Sequence, residues 1–156
     1  MLIPRSSVYG IEWPVLPGPA AASMLAMQYQ LEQSQWLPPQ IILQHQFNQL
    51  ARALAHAYET VPFYHEHFQK IGFNPKERIN PEIFTQLPFL QRSDIQSDGG
   101  ALLSRQIPRD HGRLLEQQTS GSSGMPIKTF GTEVTQFFWR VFTLRDHLWH
   151  RRDLTG

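Results

Sequence analysis

The chain has 156 residues, the length of one domain, and its 40% hydrophobic and 17% charged residues exclude a disordered chain. The formal net charge of +1 gives no general reason to bind a polyanion, although residues 1–104 carry −2 and residues 105–156 carry +3. Cysteine is absent, which excludes disulfides and a thiolate nucleophile, and no apolar run reaches the ~20 residues of a membrane-spanning helix. We therefore expect a cytoplasmic protein with no membrane partner.

The first 38 residues predict an irregular N-terminal arm. One helix is expected within it, from about Ala20 to Gln35. Prolines interrupt regular structure on both sides of this helix, at Pro14, Pro17, Pro19, Pro38 and Pro39. We expect this region to be an arm or a cap rather than part of a core.

Residues 39–112 predict a helical region with connecting loops. Apolar residues recur every three or four positions and predict an amphipathic helix from about Pro39 to Glu59; they are Leu43, Phe47, Leu50, Leu54 and Tyr58. Pro62 ends this helix because it pushes Val61 out of the helical region. A second, short helix should follow over "FYHEHFQKIG" and end at Gly72 in a left-handed cap.

The rest of the helical region predicts turns and short helices. Asn74-Pro75 and Asn80-Pro81 mark turns, and Pro81 is well placed as the first residue of a one-turn helix. Ser93-Asp94 is expected to cap another short helix before Gly99-Gly100.

Residues 113–156 predict a strand-loop-strand-helix unit, so the fold class is expected to be mixed α/β. "RLLEQQTS" is typical of a strand, "TSGSSGMPIK" of a loop and "PIKTF" of a second strand. Thr132 is the expected N-cap of a helix that runs from about Glu133 to His150, with Glu133 in the first turn.

The apolar face of this last helix is unusually wide. Its residues span roughly 160° of the helical wheel, against the roughly 100° of a simple surface helix; they are Val134, Phe137, Phe138, Val141, Phe142, Leu144, Leu148 and Trp149. Arg145 falls inside the same arc and needs a polar partner that its own stretch does not offer. We therefore expect the sequence to stop part-way through a larger domain.

The loop between the strands combines the groups that hold a polyphosphate. Gly121 and Gly124 let a ligand approach backbone N–H groups, Lys128 adds a positive charge, and hydroxyls come from Thr119, Ser120, Ser122 and Ser123. The spacing matches neither the nucleoside-triphosphatase loop nor the dinucleotide fingerprint. The alternatives are an anion cradle and a plain Gly/Ser hairpin turn or linker, and the position between two strands and directly ahead of a helix favours the cradle.

"TSGSSGMPIK" resembles the phosphate-binding signature of the adenylate-forming enzymes, the acyl-CoA synthetase superfamily. The stretches "LARALAHAYETVPFYHEHFQKIGFNP" and "LPFLQRSDI" are similar to the opening of the phenylacetate-CoA ligase branch. The resemblance runs from about Trp36 to the last residue, with three motifs in order. It implies that residues 113–156 begin a nucleotide-binding α/β region of a larger adenylate-forming domain.

The resemblance implies an enzyme that joins a carboxylic acid to ATP and then transfers the acyl group to coenzyme A, and the phenylacetate-CoA ligase branch suggests an aryl acid. ATP with Mg²⁺ and coenzyme A are the implied cofactors of the full-length enzyme. The implied phosphate contacts are Thr119, Ser120, Gly121, Ser122, Ser123 and Gly124, with Lys128 as a further candidate. Many members place lysine directly after the proline, whereas Ile127 intervenes here, which puts Lys128 on the opposite face of its strand. The family's downstream catalytic residues are missing, so no catalytic residue is assigned and the segment alone is expected to be inactive.

Other interpretations stay open beside this one. The chain could be a free-standing nucleotide-binding or interaction remnant that pairs with a second polypeptide. His65 with His67, or His147 with His150, could suggest a metal, but neither pair has the three or four ligands of a zinc site, so none is assigned. The basic and aromatic residues after Trp139 could suggest nucleic acid, but the apolar face favours packing. Phe63 and Tyr64 are expected to anchor a helix end rather than line an acyl channel.

Overall fold

The structure is a computed structural model and describes residues 5–97, 99–118 and 126–152. Its elements in chain order are α1 Pro19–Ser34, α2 Pro39–Thr60, α3 Pro62–Lys70, α4 Pro81–Thr85, α5 Arg92–Ser97, a 3₁₀ turn Arg109–His111, β1 Leu114–Gln118, β2 Lys128–Thr132 and α6 Glu133–Trp149. This part of the chain is a mixed fold dominated by helices, with one small antiparallel sheet, and it confirms the mixed α/β class. None of its helices is both long and apolar enough to cross a membrane.

Proline sets the start of the first four helices. Pro19, Pro39, Pro62 and Pro81 are each the first residue of their helix, where the missing N–H costs nothing because that group has no partner inside the helix. Asn80 caps α4, since its side-chain oxygen accepts a hydrogen bond from the backbone N–H of Ile83 at 2.8 Å. The predicted starts of α2 and α4 are confirmed.

The helix ends follow local chemistry with one exception. Val61 is extended, with φ −110° and ψ 111°, and Gly72 is left-handed, with φ 68°, as both were predicted. The predicted cap at Ser93-Asp94 is wrong, because α5 begins at Arg92 and contains both residues. Asp94 instead reaches back from the first turn, where its carboxylate accepts a hydrogen bond from the N–H of Gln91 at 2.7 Å.

The two strands pair antiparallel, with Gln118 opposite Lys128 and Leu114 opposite Thr132. The second strand was predicted over residues 126–130 and lies over residues 128–132 instead. Pro126 explains the shift, because proline has no N–H to donate to the ladder and seldom continues a paired strand. The strand therefore runs to Thr132, and α6 follows without a connecting loop.

The chain forms two compact units, one of Met1–Pro38 with Thr135–Gly156 and one of Pro39–Val134. In the first unit, α1 supplies the partners that the sequence analysis could not find for Arg145. One Nη of Arg145 donates to the carbonyl of Leu31 at 3.3 Å and to the side-chain oxygen of Gln35 at 3.1 Å, and its guanidinium lies 4.3 Å from the Trp149 ring. The buried Val141 anchors the same contact, since its carbonyl accepts a 2.6 Å hydrogen bond from Gln28.

The second unit is built around the corner between α2 and α3, which we call the α2–α3 corner. Its buried residues are Thr60, Val61 and Phe68. The segment 101–105 ties onto it, because the N–H of Phe63 donates to Ala101 at 3.0 Å and the N–H of Arg105 donates to Thr60 at 2.8 Å. The Phe68 ring packs edge-on to Phe73, with centroids 4.9 Å apart.

Candidate phosphate-binding hairpin

The predicted phosphate loop lies between two paired strands. Residues 119–127 connect Gln118, at the end of β1, to Lys128, at the start of β2, and these two residues are opposite each other in the register. The other end of the hairpin joins α6 directly at Glu133. This order, strand, loop, strand and helix, is the order that the sequence analysis predicted for residues 113–150.

The end of the hairpin next to α6, which we call the hairpin base, is closed by two bonds between Arg113 and Glu133. The N–H of Glu133 donates to the carbonyl of Arg113 at 3.2 Å, and Nε of Arg113 donates to the Glu133 carboxylate at 2.9 Å. This hydrogen bond from Arg113 holds the pKa of the Glu133 carboxyl below its ordinary value. The contacts hold the start of β1 next to Glu133, the residue that follows β2.

Gly112 makes this close approach possible. Its backbone has φ 74°, a left-handed value that L side chains rarely adopt. A Cβ built at this position would collide with the carboxylate of Glu133 and lie 2.9 Å from its Cβ. Any larger residue at 112 would therefore push Arg113 and Glu133 apart.

Lys128 is placed at the loop end of the hairpin, where its ammonium forms an ion pair with Glu116. Nζ of Lys128 lies 2.8 Å from the Glu116 carboxylate, and this hydrogen bond raises the pKa of Lys128 above its ordinary value. Glu116 faces Phe130, two residues after Lys128, so the pair is diagonal across one face of the sheet. Both side chains are about half exposed, and an exposed ion pair contributes little to stability, so a polyphosphate could compete with Glu116 for the lysine.

The remaining predicted phosphate contacts, Thr119, Ser120, Gly121, Ser122, Ser123 and Gly124, lie outside the described residues. Of the predicted site, the structure thus places Lys128 and the strands that carry the loop. Glu116 and Arg113 were not predicted as neighbours of the site. Their partners can be identified only when the strand register is known, because each pairs with a residue on the other side of the loop.

Most residues of the two strands are exposed to solvent. Thr132 is the one strand residue that is buried, while Leu114 is 50% exposed and Phe130 is 37% exposed. A single two-stranded hairpin is marginally stable in water and normally needs a third strand or a packed helix. The hairpin therefore has the geometry of a sheet edge to which further structure can be added.

The other residues that were weighed as functional make structural contacts. Nδ1 of His65 donates a 2.9 Å hydrogen bond to the carbonyl of Tyr58, and the His65 ring stacks on the Tyr58 ring with centroids 4.5 Å apart. Since a carbonyl can only accept, His65 Nδ1 carries the proton in this bond. The Phe63 ring stacks on the His67 ring with centroids 5.4 Å apart, and the Tyr64 and Phe68 rings lie 5.6 Å apart, so both aromatic residues pack within α3.

The histidine pair near the end of α6 is also engaged. His150 lies 3.3 Å from the Asp146 carboxylate, and Nδ1 of His147 lies 3.4 Å from a guanidinium nitrogen of Arg152. Within residues 5–97, 99–118 and 126–152, no three His, Asp or Glu side chains are grouped so that they could hold a metal ion.

Three features of the hairpin support its interpretation as a candidate phosphate-binding site. They are the hydroxyl and glycine composition of the loop, the paired strands on either side and the bonded base at Glu133. Comparison with models of known protein families found no match to this chain, and a search of curated proteins found no close match either.

Proposed function

We propose that this chain is the N-terminal portion of an ATP-dependent carboxylic acid-CoA ligase, and that it is inactive alone. The observation that carries the proposal is the antiparallel pairing of β1 with β2 on either side of residues 119–127, directly before α6. A flexible Gly/Ser linker has no need for strands paired up to its two ends, whereas a cradle and a plain hairpin turn both join such strands. The hydroxyl and glycine content of residues 119–124 and the positive charge of Lys128 favour the cradle, because an anion needs several donors that are held in place before it arrives.

In this proposal, the loop holds the β- and γ-phosphates of ATP while the substrate carboxylate attacks the α-phosphorus. The glycines leave backbone N–H groups open to the phosphate oxygens, and the hydroxyls of Ser122 and Ser123 add neutral donors. Lys128 reaches the phosphates by exchanging the Glu116 carboxylate for a phosphate oxygen. The protein provides no nucleophile; it stabilises the charge on the departing pyrophosphate.

The other participants belong to the full-length enzyme. Mg²⁺ and coenzyme A would join ATP there, and we assign neither to residues of this chain. The substrate would be a small carboxylic acid, with an aryl acid suggested by the resemblance to the phenylacetate branch. The partner of this segment would be the remainder of the ligase or a second polypeptide, in the cytoplasm and without nucleic acid.

Binding of nucleotide to the chain tests the proposal. We expect weak, saturable binding of ATP and of inorganic pyrophosphate, followed by ³¹P NMR, and several-fold weaker binding by the variant with Ser122→Ala and Ser123→Ala. The control is Ser93→Ala, which removes an exposed hydroxyl from α5 and should leave binding unchanged. Absence of saturable binding, or equal losses in both variants, would contradict the phosphate site.

Catalysis is tested separately. We expect no ATP–pyrophosphate exchange above background with any carboxylic acid, because the acidic and lysine residues that assist adenylation in the family are missing from these 156 residues. Exchange above background would show that the segment is active by itself.

The second candidate is a free-standing nucleotide-binding or interaction module without catalysis. The observation that favours it is the exposed aromatic surface of α6, where Phe138 is 40%, Phe142 51% and Trp149 60% exposed. The gene separates the two candidates. A reading frame that continues past codon 156 into a YGxTE-like acidic motif supports the ligase, whereas a stop codon followed by unrelated sequence supports the module.

A further inference from the structure

We propose that an open cavity beside α2, in the second unit, binds a small amphipathic oxyanion, that is, an apolar group bearing one carboxylate or phosphate. The cavity has a volume of about 390 Å³ and lies between α2 and residues 78–81. This volume is within the range of small-molecule sites, which are apolar pockets with a few convergent polar groups. The cavity shares no residue with the phosphate-binding hairpin.

The apolar wall of the cavity comes from one row of α2 and from the segment opposite. Leu43, Phe47 and Ala51 follow each other at a spacing of four residues and so share one helix face, and Ile79 and Pro81 face them. The Phe47 ring is held by an edge-on contact with Phe84 of α4, with centroids 6.3 Å apart. Leu43 is 44% exposed, so this part of the apolar stripe of α2 is available to a ligand.

The neutral polar groups of the cavity are carboxamides. Gln40, Gln44 and Asn48 form a second row of α2 at the same spacing of four, and Asn80 lies opposite. Asn80 uses its side-chain oxygen as the N-cap of α4, so its NH₂ group is what remains for a ligand. Carboxamide NH₂ groups donate well to an oxyanion.

Arg78 determines the sign of the ligand charge. Among the residues that the structure describes, it is the one charged residue that lines this cavity. Within the part of the chain that the structure describes, no ion pair joins Arg78 to a carboxylate. A guanidinium presents N–H groups as a planar fork that fits the two oxygens of a carboxylate or phosphate. The cavity therefore combines one cation, amide donors and an apolar wall, which matches an amphipathic oxyanion.

A matched set of six-carbon ligands tests the inference. We expect hexanoate and hexyl phosphate to bind the chain and to shift the amide NMR signals of residues 40–51 and 78–81. Hexanamide and hexylamine should bind at least about tenfold more weakly, because they lack the charged partner of Arg78. A preference for hexanoate over hexyl phosphate, or the reverse, shows whether the cavity favours a carboxylate or a phosphate. Equal binding of hexanoate and hexanamide, or no saturable binding of either anion, overturns the inference.

Variants locate the site. Arg78→Gln should remove the preference for hexanoate over hexanamide, and Ala51→Phe should abolish binding of both by filling the apolar row while keeping a helix-compatible side chain. The control Arg52→Gln makes the same charge change on α2 at a residue that does not line the cavity, and it should bind hexanoate as the unmodified chain does. Far-UV circular dichroism checks that each variant folds.

Equal loss of binding in Arg52→Gln and Arg78→Gln would overturn the proposed site. The outcome is independent of the phosphate loop, since Ser122→Ala with Ser123→Ala should leave hexanoate binding intact. Failure of either proposal can therefore be recognised without the other.

Discussion

The α2–α3 corner and the β-hairpin belong to the same unit but are held together in different ways. At the corner, Thr60, Val61 and Phe68 are buried, and two hydrogen bonds reach residues more than 30 positions away in sequence, from Arg105 to Thr60 and from Phe63 to Ala101. In the hairpin, Thr132 alone among the strand residues is buried, and two exposed ion pairs, Arg113–Glu133 and Lys128–Glu116, join its two sides.

This difference separates the scaffold from the candidate site. Burial of apolar side chains stabilises a structure strongly, whereas exposed ion pairs contribute little. The corner can therefore stabilise itself, while the hairpin needs further structure or a ligand to become firmly ordered. The experiments below measure this contrast, beginning with the largest expected effect.

Removing the Phe68 side chain should have the largest effect on stability. Phe68 is 3% exposed, so Phe68→Ala leaves a cavity in the corner and should lower the free energy of unfolding by about 3–5 kcal/mol. The matched change in the hairpin is Phe130→Ala, where the ring is 37% exposed and the expected loss is below about 1 kcal/mol. Urea unfolding followed by far-UV circular dichroism measures both. Equal losses would mean that the hairpin is as well packed as the corner.

The substitution Gly112→Ala should be the most harmful single change in the hairpin. The new Cβ would collide with Glu133 at a left-handed backbone position, and we expect a loss of about 2–3 kcal/mol in the free energy of unfolding. Gly72→Ala is the control, because Gly72 also has a positive φ but no atom lies within 4 Å of the added Cβ.

The control should lose about 1 kcal/mol, from backbone strain alone. If Gly72→Ala costs as much as Gly112→Ala in the same urea unfolding experiment, the collision of the added Cβ with Glu133 adds nothing to the cost of Gly112→Ala.

The hydroxyl of Thr60 tests the polar part of the corner. It donates to the carbonyl of His56 at 2.8 Å and accepts a hydrogen bond from Ser104 at 2.9 Å. Thr60→Val keeps the side-chain shape and removes both bonds at a buried position, which should cost about 1–2 kcal/mol in thermal or urea unfolding. Thr85→Val removes a comparable bond, to the carbonyl of Glu82, at an exposed position. A cost for Thr85→Val as large as that for Thr60→Val would contradict the role of burial.

Local chemistry made most of the helices predictable. Pro39 and Pro81 set helix starts, and Pro62 and Gly72 set helix ends, through effects that act within a few residues. The second strand begins two residues later than its β-forming residues predict, because Pro126 has no N–H to donate to the ladder.

Long-range contacts were beyond the sequence pattern. Arg145 and Gln35 are 110 positions apart. Nothing in the periodicity of α6 indicates that the neutral amide of Gln35, the residue after α1, accepts a hydrogen bond from Arg145. One nitrogen of the same side chain, Nε, is buried without a hydrogen-bond partner among the described residues. A periodic stripe predicts that a helix face is covered, but it carries no information on which distant segment covers it. The same limit explains why Glu116 was missed, since its pairing with Lys128 depends on the strand register.

The smallest expected effect is the pH dependence of the hairpin base. Arg113 lowers the pKa of Glu133 by a hydrogen bond, so the ionised carboxylate stabilises the folded chain. This contribution is fully present above the ordinary glutamate pKa of about 4.3 and is lost as the pH falls through the lowered value of the folded state. A ¹³C NMR titration of the Glu133 carboxyl should therefore show its pKa rising toward the ordinary value in Arg113→Gln.

Added salt should reduce the difference in the Glu133 pKa between the unmodified chain and Arg113→Gln, because the side chains of Arg113 and Glu133 are both exposed. The corner carries no such exposed pair between its buried residues, and the unfolding loss caused by Phe68→Ala should be unaffected by salt. An unchanged Glu133 titration in Arg113→Gln would show that the ion pair does not hold the hairpin base in solution.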